Sequence, residues 1–230
     1  MAIINIEIVS DFVCAWCFIA KRRLGMAISL YQKTYPGGKS DKINIWWKHY
    51  YLNYGPSTHS IEKSEAADER LSDMTTDQRE KLYKRMNQIG RSVGINFKGG
   101  GKVGDTRLAH VLARLGSIKE PDVENAVIEG IFKAYHEEEK DITDRDVLRK
   151  IGMSAGISAI EVEEYLGIRE PESFDETQKY VDEEARENKE RLAGAGVPAI
   201  TIQGQHLEGQ PDVDDLMEAL VKAKEGDTGS

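Results

Sequence analysis

Two cysteines three residues apart are the chemically most informative feature of this sequence. They flank Ala15 and Trp16 in Cys14-Ala15-Trp16-Cys17 and are the only cysteines in 230 residues. Two cysteines placed at random would show this spacing in roughly one chain in a hundred, so a shared function is a reasonable hypothesis. At this spacing two thiols can close a disulfide, or act one after the other on a disulfide of a substrate.

The surrounding pattern predicts that the pair lies where a strand turns into a helix. Residues 3–9 are mostly β-branched and apolar, which is typical of a buried strand. Residues 17–31 place apolar side chains at helical intervals. A thiol at a helix N-terminus faces unpaired N–H groups and the positive end of the helix dipole, and both favour the thiolate. We therefore expect Cys14 to be the exposed nucleophile and Cys17, one turn later, to be the resolving thiol.

Two structural interpretations of the cysteine pair are weaker. A disulfide across so short a loop would stabilise the fold little. A zinc site would need two further ligands, and the histidines show no paired ligand spacing. They are His49, His59, His110, His136 and His206.

The segment around the cysteines resembles the active-site segment of DsbA-like thioredoxin-fold oxidoreductases, specifically the FrnE-like branch. Residues 10–24 read SDFVCAWCFIAKRRL, and members of that branch usually read S-D-x-x-C-P-W-C-[YF]-x-G-K. Ala15 stands where proline is common, at a position that helps to set the redox potential. The resemblance implies an α/β, thioredoxin-like fold with a large all-helical insertion, and thiol–disulfide oxidoreductase activity through a mixed disulfide.

Composition and charge indicate the number of domains, the location of the protein and the kinds of partner to expect. The chain is 40% hydrophobic and 31% charged, which fits one globular domain or one domain with a large insertion. We see no secretory signal pattern, no apolar run of membrane-spanning length and no glycosylation sequon, so we expect a cytoplasmic protein. A net charge of −9 argues against nucleic acid and anionic membranes as partners.

The remaining pattern predicts how the chain is organised. Residues 43–52 read as a second strand. Periodicity is helical from about residue 60 to 193, and strand character returns at 196–209 as a hairpin that turns at Gly204. The last helix is expected over 211–224. We predict a thioredoxin-like domain over 1–58 and 194–225, a helical insertion domain over 59–193 and a flexible tail over 226–230.

Two stretches of the helical region resemble the same family. Residues 105–110 read DTRLAH, similar to the family's [ND]-T-x-x-A-H. Residues 131–142 read IFKAYHEEEKDI, similar to L-[FL]-x-A-Y-F-x-E-x-x-D-I, with His136 replacing an aromatic residue. In the family this helical domain lies over the active-site face, so His110 could border the substrate groove. A structurally satisfied histidine is an equally good interpretation.

Gly196-Val197-Pro198, just before the returning strand, resembles the cis-proline loop of thioredoxin-like proteins. In the family this loop lies opposite the nucleophilic cysteine, and the backbone of Val197 could pair with an extended substrate. The resemblance thus implies a substrate-binding set of Trp16, Val197, Pro198 and His110, and a protein or small-molecule thiol or disulfide as substrate. No tightly bound cofactor and no metal are expected, and glutathione is a candidate redox co-substrate.

Three other interpretations compete with this one. Residues 99–104, GGGKVG, match a dinucleotide-binding pattern, but no alternating strand series supports it and a flexible loop is favoured. Kappa-class glutathione transferases and hydroxychromene-carboxylate isomerases share the architecture but usually carry serine where Cys14 stands. A chaperone-like module, in which the helical region captures unfolded chains, is the non-enzymatic alternative.

Overall fold

The sheet is built from both ends of the chain and the helices mostly from its middle. The computed structural model describes residues 1–52, 59–168 and 171–227. The strands are β1 (Ile3–Ser10), β2 (Lys42–His49), β3 (Ile61–Glu62), β4 (Lys102–Val103), β5 (Ala199–Ile202) and β6 (Gln205–Leu207). The helices are α1 (Ala15–Thr34), α2 (Lys63–Arg70), α3 (Thr76–Ser92), α4 (Arg107–Ser117), α5 (Pro121–His136), α6 (Arg145–Ser154), α7 (Ala159–Tyr165), α8 (Pro171–Leu192) and α9 (Val213–Asp227). None of these helices is long and apolar enough to cross a membrane.

Strand β1 is central because it pairs on both sides. The main sheet has the order β2-β1-β5-β6, with β1 parallel to β2 and antiparallel to β5. Ile4, Ile6 and Ile8 are at most 1% exposed and pack with α1 and α9. Buried side chains at every second position are the pattern of a strand that packs one face against the core. The predicted α/β, thioredoxin-like architecture is confirmed.

A second apolar cluster joins the end of β1 and the start of α1 to the helices of the middle region. The rings of Phe12 and Phe18 each lie 5.1 Å from the ring of Phe132 on α5, and all three side chains are at most 1% exposed. Cys14 and Cys17 belong to the same cluster. The cysteines are therefore held where the sheet meets the helical region.

The structure differs from several sequence expectations. The second strand ends at His49 and not at residue 52, because Tyr50 and Tyr51 leave the ladder and bury their rings. The middle region is not purely helical, since β3 and β4 form a two-stranded antiparallel ribbon. The last helix continues to Asp227, two residues into the predicted tail. Residues 53–58 and 228–230, which complete the predicted first segment and the tail, lie outside the described residues, and the domain boundaries stay predictions.

The glycine-rich stretch at 99–104 is not a dinucleotide loop. It contains β4, which among the described residues pairs with the two residues of β3, in an antiparallel ribbon separate from the main sheet. Gly101 has a φ of +84°, and a Cβ there would lie 2.4 Å from the carbonyl oxygen of Glu139. The Gly100 N–H donates to Glu139 Oε1 over 2.8 Å. The glycines therefore allow close packing against the chain after α5.

A buried aspartate forms hydrogen bonds with residues near both ends of the chain. Asp41, just before β2, accepts hydrogen bonds from the Ala2 N–H at 2.7 Å, the Tyr31 hydroxyl at 2.6 Å and the Lys224 ammonium at 2.5 Å. Burial opposes ionisation of this carboxyl, but these donors outweigh it and lower the pKa of Asp41 to about 2.

Candidate active site

Cys14 occupies the N-cap position of α1. Its backbone is extended, with φ −85° and ψ 110°, and its carbonyl oxygen accepts the N–H groups of Cys17 and Phe18 at 3.1 and 3.3 Å. The Cys14 N–H donates to the carbonyl oxygen of Asp11 over 3.1 Å. Cys14 is 8% exposed and Cys17 is fully buried, and both are free thiols. Both cysteines are therefore buried, contrary to the expectation of an exposed Cys14, and Cys14 is the less buried of the two.

The surroundings shift the pKa values of the two thiols in opposite directions. A hydrogen bond from the Cys17 thiol is the main cause that lowers the pKa of Cys14, with help from the N–H groups of Cys17 and Trp16, while burial and the charge of Asp11 oppose it. Burial raises the pKa of the Cys17 thiol well above its ordinary value, and its bond to Cys14 raises it further. The thiolate form is thus favoured more at Cys14 than at Cys17.

The loop before β5 faces Cys14 although it is far away in sequence. The Cys14 Sγ lies 3.6 Å from the carbonyl oxygen of Val197, and the Val197–Pro198 peptide bond is cis. The pairing of Val9 with Ala199 brings the two segments together, because these residues are neighbours of Cys14 and Val197 along the chain. Val197 and Trp16 are both half-buried and pack on the cluster that contains the cysteines. The structure therefore brings together five of the six residues predicted for the site.

His110 is the exception, because it lies beneath the site and not beside an open groove. It is 1% exposed, and its ring packs against Phe12 with a centroid distance of 4.7 Å. Its Nε2 lies 3.3 Å from Asp11 Oδ1 and its Nδ1 lies 3.1 Å from His49 Nδ1. A side chain buried in this way has no surface to offer a substrate, so the geometry supports the structural interpretation of His110.

Two buried polar residues that contact His110, namely Asp11 and His49, were missed as candidate residues by sequence reasoning. Asp11 is 1% exposed, and its Oδ2 accepts the Leu52 N–H over 2.8 Å. His49 is 5% exposed and lies at the end of β2. Asp11 stands inside the segment that carries the family resemblance, and that was the available signal for it. No local pattern connects positions 11, 49 and 110.

His136, the residue that replaces an aromatic, supports the loop that carries Cys14. Its Nε2 lies 3.0 Å from the carbonyl oxygen of Phe12, and its ring stacks on Phe18 at 5.7 Å. Burial, helped by the charge of Lys63, lowers the pKa of His136 to about 3. The neutral ring therefore donates its Nε2–H to Phe12.

The part of the chain that the structure describes holds no cluster of metal ligands, and its groove along β2 and α1 does not include the cysteines. Within residues 1–52, 59–168 and 171–227, no three His, Cys, Asp or Glu side chains converge as metal ligands. A groove of about 1510 Å³ lies along β2 and α1, lined among others by Trp47, Arg114 and Glu184, and neither cysteine lines it.

Comparison with known proteins agrees with this architecture. The sequence model of the family described as DSBA-like thioredoxin domain matches residues 5–221. Among curated protein sequences nothing matches.

Solved structures with the same fold include oxidoreductases and an isomerase. A probable DsbA oxidoreductase from Streptomyces coelicolor superposes with a TM-score of 0.79 at 19% identity, over 96% of this chain and 90% of that one. A 2-hydroxychromene-2-carboxylate isomerase gives 0.66 at 14% identity, over 98% of each chain. The cytosolic disulfide reductase DsbM from Pseudomonas aeruginosa, in a structure with GSH, gives 0.58 at 17% identity, over 96% of this chain and 99% of that one. At these identities the likeness concerns the fold.

Proposed function

Because the chain belongs to the family of DSBA-like thioredoxin domains, we propose that it is a thiol–disulfide oxidoreductase that works through Cys14 and Cys17. The observation that carries this proposal is the opposite shift of the two thiol pKa values, downward at Cys14 and upward at Cys17. One sulfur is thereby prepared to attack or to leave as a thiolate, and the other keeps its proton until it is needed.

In the reducing direction the Cys14 thiolate attacks one sulfur of a substrate disulfide. A bond forms between Cys14 and that sulfur, and the other substrate sulfur leaves as a thiolate. Cys17 then loses its proton and attacks the Cys14 sulfur, which releases the second substrate thiolate and leaves a Cys14–Cys17 disulfide. The substrate gains two electrons and the cysteine pair loses them. The same steps in reverse oxidise a substrate dithiol.

Trp16, Val197 and Pro198 supply the proposed binding surface around Cys14. Val197 is half-buried with its carbonyl oxygen beside the reactive sulfur, so an extended substrate can pair with its backbone while a substrate sulfur meets Cys14. Trp16, which is half-buried and packs on the cluster that contains the cysteines, offers an apolar side chain. We propose a protein or small-molecule thiol or disulfide as substrate, and not the buried His110 as one of its contacts.

Glutathione is the proposed redox co-substrate. A protein with this fold, the reductase DsbM, has been solved with GSH, and Cys14, the less buried of the two cysteines, is 8% exposed. In the cytoplasm, our predicted location, glutathione is the abundant thiol that would reduce the Cys14–Cys17 disulfide.

Trapping the mixed disulfide tests the proposal. In Cys17→Ser the resolving thiol is gone, so incubation with a disulfide peptide or oxidised glutathione should leave an adduct on Cys14 that a reductant removes. The matched variant Cys14→Ser keeps the other, fully buried thiol and should form no adduct. Adducts on neither variant, together with glutathione-dependent isomerisation of a chromene carboxylate by the wild type, would instead support the isomerase alternative. Holdase activity that survives replacement of both cysteines would support the chaperone-like alternative.

A further inference from the structure

Strand β2 lies at the edge of the main sheet, and its outer side is turned away from the other strands. In the order β2-β1-β5-β6 it pairs with β1. The Lys42 N–H donates to the Ala2 carbonyl oxygen over 2.9 Å and therefore points towards β1. Because successive residues of a parallel strand direct their N–H and C=O groups to opposite sides, those of Ile43, Ile45 and Trp47 point outward. We refer to these outward backbone groups as the β2 edge.

The last residue of β2 shows the same outward direction and has partners there. The His49 N–H donates to Glu184 Oε2 over 3.1 Å, and the His49 carbonyl oxygen accepts from Asn188 Nδ2 over 3.0 Å. Both partners belong to α8, which therefore covers the outer side of the strand at His49. Within the described parts of the chain, no group donates to the β2 edge or accepts from it. Three N–H and three C=O groups are thus left without a protein partner on a strand that lines the groove.

Exposed apolar side chains lie beside the β2 edge. Met26 and Leu30, one turn apart on α1, are 45% and 39% exposed, Trp46 on β2 is 48% exposed, and all three line the groove. The side chains of Ile43 and Ile45 pack on the cluster that α1 helps to form. A strand added beside β2 would therefore direct alternate side chains towards α1, next to Met26 and Leu30. The groove thus suits an extended segment with apolar residues at alternate positions.

The groove is positively charged although the protein is negative. Seven of its lining residues are Lys or Arg and four are Asp or Glu, whereas the whole chain has 31 and 40. Two of the four acids are already paired, Glu129 with Lys21 and Arg22, and Glu184 with Lys48. The excess of cations therefore favours an acidic occupant.

The unpaired positive charge lies at one end of the groove. Lys33 is in the last turn of α1 and Lys42 begins β2 a few residues later, and neither has an acidic partner at ion-pair distance in the described ranges. The remaining acids, Asp122 and Glu124, are in the first turn of α5. That turn adjoins Lys21, which is bonded to α5 over 3.0 Å and lies about 18 Å before Lys33 along α1. An acidic residue of an occupant is therefore favoured at the Lys33 end.

A second copy of this chain suits the β2 edge poorly. If two β2 strands paired antiparallel about Ile45, Lys42 of each copy would lie opposite Lys48 of the other. Like charges directly opposite each other destabilise a strand pair, and lysine on an edge strand opposes such pairing. Each copy also carries a net charge of −9. The charges that disfavour a second copy favour an acidic peptide.

On this geometry we propose that the β2 edge binds an extended acidic segment of a partner protein, which adds to the main sheet as a fifth strand. Main-chain hydrogen bonds hold the segment, its alternate apolar side chains lie against α1, and its acidic end meets Lys33 and Lys42. The distance from Ile43 to Trp47 is about 13 Å, enough for five or six residues of the segment. The inference goes beyond the proposed function, because neither cysteine lines the groove.

Fluorescence anisotropy with labelled peptides tests the binding. The probes are Glu-Glu-Val-Thr-Val-Thr-Val and the reversed sequence Val-Thr-Val-Thr-Val-Glu-Glu, because an added strand can run in either direction. We expect at least one of them to bind saturably, with a Kd below about 1 mM. Replacing both glutamates of that peptide by lysine should weaken binding by about 10-fold.

Amide hydrogen exchange followed by NMR shows where the peptide binds. The N–H groups of Ile43, Ile45 and Trp47 should exchange more slowly once the peptide pairs with them. The N–H of His49 already donates to Glu184, so its exchange should not change and serves as an internal control.

Two pairs of variants separate the backbone contribution from the charge contribution. Ile45→Pro removes an outward N–H, which an edge strand tolerates, and should weaken binding by at least about 10-fold. Ile45→Ala loses the same side chain but keeps the N–H, so its affinity should stay within about 3-fold of wild type. If Ile45→Pro does not fold, the exchange measurement on the wild type takes its place.

The charge contribution is tested at the positive end of the groove. Lys33→Gln combined with Lys42→Gln should weaken binding of the acidic peptide by about 3- to 10-fold. Lys150 and Lys222 are exposed and lie outside the groove, so the double change Lys150→Gln and Lys222→Gln is the matched control and should leave the affinity unchanged.

Several results would overturn the proposal. These are no saturable binding of either acidic peptide, equal binding of the lysine peptide, or an unchanged affinity in Ile45→Pro. A dimer seen by sedimentation without peptide, and lost in Ile45→Pro, would overturn it in favour of a second copy as the occupant. None of these measurements involves the sulfur atoms, so the proposed function would stand in each case.

Discussion

The sulfur of Cys14 faces the carbonyl oxygen of Val197 across 3.6 Å, although 183 residues separate the two in sequence. The contact exists because β1 and β5 are antiparallel neighbours, so that the end of one strand and the start of the other meet at the same edge of the sheet. The Cys14 thiol therefore has the N-terminus of α1 on one side. On its other side lies the backbone of Val197, with which an extended peptide can pair.

Cys14 should be alkylated far faster than Cys17 near neutral pH. The Cys17 hydrogen bond lowers the pKa of Cys14, whereas burial raises that of Cys17, and alkylation follows the thiolate fraction. Peptide mass spectrometry after a short iodoacetamide pulse at about pH 7, below the ordinary thiol pKa of about 8.5, should find the label on Cys14. Preferential labelling of Cys17 would reverse the two roles.

Replacing Asp11 by asparagine should make Cys14 more reactive in acid. The negative charge of Asp11 raises the pKa of Cys14, so a neutral amide should let the thiolate persist to lower pH. The iodoacetamide rate at about pH 6 should rise by roughly 2- to 10-fold. Asp122→Asn, an exposed aspartate at the start of α5, is the matched control and should not alter the rate. A slower or unchanged rate in Asp11→Asn would show that the carboxylate does not act on the thiol.

Asp41 should contribute stability that disappears in acid. Its folded-state pKa of about 2 lies below the ordinary value of 3.8, so its contribution is complete above about pH 4 and is lost as the pH falls towards 2. At pH 7, Asp41→Asn should lower the free energy of unfolding by about 1–3 kcal/mol, because the Lys224 ammonium and Tyr31 hydroxyl lose a charged acceptor. Urea unfolding at several pH values should show the difference from wild type shrinking between about pH 4 and 2. A difference that stays constant over this range would contradict the assignment.

Two helix glycines should respond to alanine with opposite signs. A Cβ on Gly152 in α6 would lie 2.7 Å from Val162 Cγ2 and 3.1 Å from Leu112 Cδ1, so Gly152→Ala should destabilise by about 1–3 kcal/mol. Gly25 in α1 is exposed and has open space at the same position, so Gly25→Ala should stabilise by about 0.5–1 kcal/mol. Chemical unfolding measures both. Equal effects of the two substitutions would mean that the packing of α6 against α4 and α7 is looser than described.

How far the sequence could predict this protein depends on whether the signal was local. The strand at Ile3–Ser10 and the helix after Cys14 carry local periodicity, and both lie within a few residues of the predicted bounds. The predicted end of β2 was wrong, because Tyr50 and Tyr51 have high strand propensity. Only the burial of their rings in the folded protein takes them out of the ladder.

The candidate site, too, could be predicted from sequence only where the signal was local. Cys14 and Cys17 are recognisable by spacing alone, whereas the family resemblance was needed to connect them with Val197. The contacts among Asp11, His49 and His110 could not be predicted, because they join a loop, a strand end and a helix that meet only in the folded protein. For His110 the sequence left two interpretations open, a groove residue and a structurally satisfied histidine, because its motif belongs to a helix over the active site but does not show which side of that helix is buried.

The most direct test of the central claim is an equilibrium titration of the reduced protein with mixtures of reduced and oxidised glutathione, followed by acid quenching, alkylation and intact mass spectrometry. We expect both thiols to disappear in one transition, with a protein mass lower by two hydrogen atoms. Cys17→Ser should instead gain one glutathione, on Cys14. If the wild type gains a glutathione at equilibrium while Cys17 remains free, or keeps both thiols under strongly oxidising mixtures, the pair does not cycle between dithiol and disulfide and the account is wrong.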